Sequence, residues 1–170
     1  MKRFYFIIAI IAAVLLSSCA LLPSKGKGGK DDEDMPGKHT DWSDKNAPKV
    51  IKSKDIILFD AYFVYENGLD HFVAKKTEDG RAELTMGFGD EHKTTVGPEF
   101  LVNLQEIIDK HGLVMHNGTF SVTAGLPYEP TSFLCKYESG EFISFKENAY
   151  PGAEWMKDVM ELFEAEFTTS

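Results

Sequence analysis

Cysteine is scarce: the 170 residues hold two, Cys19 and Cys135, too few for a disulfide framework. Positive charge is also short, with 18 Lys or Arg against 27 Asp or Glu and a formal charge of -9. That is the wrong sign for a chain that lives on phosphate backbones, so nucleic acid is not an expected partner. No apolar run reaches spanning length. The longest, Phe4 to Leu16, has 13 residues, about 20 Å as a helix against a hydrocarbon core about 30 Å thick. The GxSxG elbow, the GxxxxGK[ST] loop, the GxGxxG fingerprint, HExxH and paired CxxC spacings are all missing. No cofactor and no metal site is therefore expected from motif spacing.

What is present begins with an address. Lys2 and Arg3 precede the apolar run, and Ser17, Ser18 and Cys19 follow it, which is the layout of a secretory signal. The four residues Leu16-Ser17-Ser18-Cys19 resemble the lipobox of bacterial lipoproteins. The resemblance implies cleavage before Cys19, a diacylglycerol thioether on its sulfur, and acyl chains such as palmitate that fix the mature chain to the extracytoplasmic face of the cell membrane. Each buried methylene contributes about 0.8 kcal/mol, so several chains make a durable anchor where one would not. Residues 1–18 are then the signal peptide. Residues 19–50 read as a lipidated, flexible, charged tether, because from Pro23 to Val50 only Met35, Trp42 and Val50 are large and apolar.

Residues 51–170 read as one globular α+β domain with ten Lys or Arg against 21 Asp or Glu. Ile57, Phe59, Ala61, Phe63 and Tyr65 alternate along a strand; Asn67-Gly68 turns it into a second over 71–76, and Glu78-Asp79-Gly80 into a third over 82–88. Pro98 opens an amphipathic helix whose apolar positions run from Phe100 to His111 and stop at Gly112. Weak strand character at 119–123 and a hairpin around Ser139-Gly140 precede a final helix with Trp155, Met156, Val159, Leu162, Phe163 and Phe167 on one side. The expected order is βββαβββα, an antiparallel sheet with both helices on one face. Phe72, Lys75, Glu78 and Gly80 match Phe133, Lys136, Glu138 and Gly140, which suggests an internal duplication.

Candidate chemistry is thin. Cys135 sits between Phe133 and Tyr137 on an apolar strand face and reads as an inert core thiol. His111 and His116 are five residues apart, near enough for a metal pair with Asp109, but His111 suits a helix end and His116 reads as a strand residue. Glu154, Asp158 and Glu161 read as a solvated helix face. The candidate partner contacts are Tyr128, held between two prolines in Leu126-Pro127-Tyr128-Glu129-Pro130, and Tyr150 before Pro151, aromatics able to anchor a protein or stack on a sugar. The expected function is a membrane-anchored, non-catalytic binding module of the cell envelope. The alternatives are a hydrolase whose carboxylates or histidines converge in a cleft, and a lipoprotein that captures a small ligand in an apolar cavity.

Overall fold

Long alternating runs of large apolar residues dictate the centre of the molecule. The computed structural model describes residues 37–65, 68–87, 92–127, 129–148 and 153–168. Eight strands form one sheet: β1 (His39–Asp41), β2 (Ile56–Tyr65), β3 (Gly68–Lys76), β4 (Ala82–Met86), β5 (Lys93–Val96), β6 (Phe120–Thr123), β7 (Thr131–Tyr137) and β8 (Phe142–Glu147). Their lateral order is β1-β6-β8-β7-β2-β3-β4-β5. All pairings are antiparallel except that of β6 with β8, which is parallel. The fold is therefore α+β with a mixed, mostly antiparallel sheet and two α-helices, α1 (Glu99–Lys110) and α2 (Glu154–Phe167).

The most apolar strands are central, where both edges are paired. Phe59, Ala61 and Phe63 of β2, Phe72 and Ala74 of β3, and Phe133, Cys135 and Tyr137 of β7 are buried at alternating positions. They join Phe100, Leu104 and Ile108 of α1 and Trp155, Met156, Val159 and Phe163 of α2 in a single hydrophobic cluster. Its rings meet edge to face and in offset stacks: Phe163 lies 5.0 Å from Phe100 and 5.2 Å from Phe72, and Phe133 stacks on Phe145 at 4.8 Å. Gly112, at φ 60°, ends the α1 region and leads into a 3-10 turn, Leu113–His116.

Five expectations change. The order gains two strands, β1 and β5, and a 3-10 turn, so βββαβββα is too simple, and the sheet is not wholly antiparallel. His116 lies in the 3-10 turn rather than in a strand. Ile56, not Ile57, is buried, because a register irregularity between Ile56 and Leu58 against β7 shifts the start of β2 by one position. Residues 37–50, read as tether, carry β1 and pack on the domain, so the folded unit begins before residue 51. The two hairpins of the suggested repeat share a Gly at φ 84°, Gly80 and Gly140, but the first is followed by β5 while the second is not.

Candidate functional site

The margin formed by β1 and β6 differs from the rest of the sheet because its strands are short and only partly covered. Trp42 Nα donates to Phe120 O at 2.8 Å, and Phe120 Nα donates to Ser43 Oγ at 2.9 Å, which holds the two segments side by side. Their rings meet with centroids 6.4 Å apart. Trp42 is nonetheless 75% exposed, Phe120 37% and Leu126 39%. These three side chains line a surface groove of about 390 Å³, whose rim carries Lys38, Lys146 and Glu129. Two cations beside one anion make this a locally basic spot on an acidic domain.

The loop that carries Tyr128 reaches the same place. Leu126, Glu129 and Pro130 all line the groove, while Tyr128 itself lies outside the described residues. Cys19 and Tyr150 lie outside them too. Asn148, directly after β8, accepts a hydrogen bond from Thr123 Nα at 2.6 Å, which ties the end of β8 to β6. Sequence reasoning missed Trp42 and Phe120. The available signal was a lone Trp next to His39-Thr40-Asp41, a β-tolerant tripeptide inside an otherwise charged stretch.

The histidines are dispersed among separate carboxylates. His111 Nε2 lies 2.7 Å from Asp158 Oδ2, which also takes Lys110 Nζ at 2.7 Å. Those bonds, His111 first, hold the Asp158 carboxyl below its ordinary value and tie α1 to α2. His116 Nδ1 pairs with Glu147 Oε1 at 2.8 Å, and this bond raises the imidazole pKa against the opposing effect of burial. His71 Nε2 meets Asp60 Oδ1 at 2.9 Å. Asp109 faces Lys54 instead, with Nζ to both carboxylate oxygens at 2.7 and 2.8 Å. His111, His116 and Asp109 are therefore not brought together. Among the described residues no group of three or more His, Cys, Asp or Glu is arranged to hold a metal ion.

The shallow depression between the helices is lined by Glu106, Asp158 and Glu161 together with Lys110. A general acid there would need a raised carboxyl pKa, whereas the hydrogen bonds to His111 and Lys110 lower that of Asp158. Cys135 is fully buried, and burial pushes its thiol up to about 12, so the thiolate is suppressed at neutral pH. The groove at Trp42 is thus the site whose chemistry fits recognition: an exposed indole and a phenyl ring in a concave surface that Lys38 and Lys146 also line. No family model, curated protein or solved structure matches this chain.

Proposed function

We propose that the chain is a lipid-anchored lipoprotein of the bacterial envelope whose acidic domain acts as a non-catalytic interaction module on the extracytoplasmic face of the membrane. Cys19 carries the lipid in this reading, and the residues between it and β1 act as the tether. Both helices cover one face of the sheet, which is supported by the way their buried residues share one cluster with alternate residues of β2, β3 and β7. Recognition then falls to the margin.

The observation that carries the reading is the groove of Trp42, Phe120 and Leu126. Large exposed apolar residues are ordinary when scattered singly and informative when they converge. Lys38 and Lys146 at the rim favour an acidic partner, so the occupant is a polypeptide segment that presents an apolar anchor flanked by carboxylates. Tyr128 and Tyr150 stay candidate partner contacts in this proposal on the strength of their proline-flanked sequence.

Mass spectrometry of the mature protein tests the anchor: a diacylglyceryl Cys19 at the N-terminus is expected, and an unmodified Cys19 or cleavage elsewhere overturns it. A photo-crosslinking residue placed at position 126 in the full chain tests the surface in intact cells. One discrete, protease-sensitive adduct is expected, lost with Trp42→Ala and retained with Lys75→Ala on the exposed side of β3. A protease-resistant, glycosidase-sensitive adduct would replace the polypeptide with a glycan. Equal crosslinking from positions 126 and 75 would remove the groove from the reading.

A further inference from the structure

β1 ends the sheet on its side, and β6 is its one strand partner among the described residues. Trp42 Nα donates to Phe120 O, Ala124 Nα donates to Lys38 O, and the register sets Thr40 against Val122, so positions 38, 40 and 42 direct their backbone groups at β6. Asp44 Nα donates to Gly118 O and continues the same ladder. Backbone groups alternate in direction along an antiparallel strand. The N–H and C=O of His39 and Asp41 therefore point off the sheet, and no backbone group among the described residues meets them. Side chains alternate as well, which sets Lys38, Thr40 and Trp42 on one face, and all three line the groove.

We propose that the polypeptide partner of the groove binds as an added strand along β1. The inference rests on the polypeptide reading of that groove and adds how the chain lies there. The outward groups of His39 and Asp41 repeat a donor and an acceptor every two residues, about 7 Å, a pattern that another extended backbone matches and a bilayer or a sugar does not. Of the two sheet edges, this is the one with apolar surface to cover. Trp42 and Phe120 stand exposed beside it, whereas β4 and β5 at the other edge carry no large exposed apolar side chain. Directly opposed residues of paired strands share a face. A strand paired with His39 and Asp41 thus sets one side chain beside Trp42 and another, four residues along, beside Lys38. The partner segment carries an apolar anchor and a carboxylate at that spacing.

NMR of the full-length protein in detergent micelles tests the mode with end-capped, threonine-rich peptides that carry Trp and Glu four residues apart, in either order. Such a peptide is expected to slow solvent exchange of the His39 and Asp41 amides and to shift the Trp42 indole, and the order that responds gives the strand direction. Placing Glu three residues from Trp puts the two side chains on opposite faces and should weaken binding about fivefold or more. N-methylation of the two peptide amides that face β1 should do the same, since each hydrogen bond lost is worth about a factor of five. His39→Pro deletes one outward N–H at an edge position that accepts proline, so it should weaken the peptide about fivefold while the Thr40 amide stays protected by β6. If Thr40 loses protection, β1 has come away and the N-methylated peptide decides. A shifted indole with unchanged His39 and Asp41 amides, or equal affinity for the N-methylated peptide, overturns strand addition and leaves a groove that binds side chains alone. No response at either place also overturns it, and the crosslink from position 126 in cells then decides separately whether the groove takes a polypeptide.

Discussion

The phenylalanine interior and the β1–β6 margin belong to one sheet yet are held together by different physics. In the interior Phe59, Phe63, Phe72, Phe133, Phe145 and Phe163 are shut away from water, and adjacent strands owe their position to what lies behind them. At the margin β1 contributes three residues, its only sheet neighbour among the described residues is β6, and the hold comes from backbone hydrogen bonds and single polar side chains. Asn117 is the main one: its Nδ2 donates to Pro48 O at 2.9 Å and its Oδ1 accepts from Ser144 Nα at 2.8 Å. Apolar burial resists local opening, whereas exposed ladders open at little cost. A stiff interior beside a loosely held margin is what a binding surface on a stable scaffold requires.

The largest expected effect is in the interior. Phe163 of α2 touches the rings of Phe59, Phe72 and Phe100 at 6.1, 5.2 and 5.0 Å. Phe163→Ala removes all three contacts and leaves a cavity between helix and sheet, so it should cost about 3 to 5 kcal/mol in denaturant melts. A loss below about 1 kcal/mol would erase the contrast, because α2 would then not be docked on the sheet. Next comes a glycine at the margin. Gly118 holds φ at 79°, and a Cβ built there would lie 2.3 Å from Ala47 Cβ and 2.6 Å from Asp44 O. Gly118→Ala should cost about 1 to 3 kcal/mol, from positive-φ strain together with displaced backbone. Hydrogen exchange should show the loss concentrated in 37–50 and 117–123 while β2 and β7 amides stay protected; uniform loss would mean that margin and interior open together.

Much of the interior was legible because it obeys short-range rules. The alternation in 56–65 and the 3.6-residue spacing of Trp155, Val159 and Phe163 each spell out an element and the face it buries. The margin was not legible for the converse reason. His39-Thr40-Asp41 and Lys93-Thr94-Thr95-Val96 are strands made by their neighbours, β6 and β4, and carry no apolar period of their own. The parallel pairing of β6 with β8 joins segments more than 20 residues apart and leaves no local trace. Of the groove, the loop around Tyr128 was found from its two prolines, whereas Trp42 was hidden by a charged context.

The two regions should also respond to pH in opposite directions. At the margin, His116 has a pKa raised above its ordinary 6.5, chiefly by its hydrogen bond to Glu147. Folding favours the protonated form, so this contribution is complete below about pH 6.5 and is lost as pH rises through the raised value. Between the helices, Asp158 has a pKa lowered from its ordinary 3.8, first by His111 and then by Lys110. Folding favours the ionised form there, so that contribution is complete above about pH 3.8 and disappears as pH falls through the lowered value. Both pairs are partly exposed, and each should be worth at most about 1 kcal/mol. Stability measured from pH 3 to 9 should therefore sag at both ends. His116→Gln should flatten the alkaline side alone and Asp158→Asn the acid side alone; a variant that flattens the wrong side refutes the assignment.

The smallest effect on stability is expected where the effect on recognition is greatest. Trp42 is three-quarters exposed, and its ring meets one neighbour, Phe120, at a tilted 6.4 Å. Its backbone hydrogen bond to Phe120 O does not need the side chain. Trp42→Ala should thus change the unfolding free energy by no more than about 0.5 kcal/mol, as surface substitutions do. A large apolar side chain left in water contributes little to folding, so in the proposed reading its role lies with whatever fills the groove. Denaturant melts of Trp42→Ala and Phe120→Ala check this directly. A loss above about 2 kcal/mol in the tryptophan variant would make the indole a structural strut, and the margin would then be an extension of the interior rather than its counterpart.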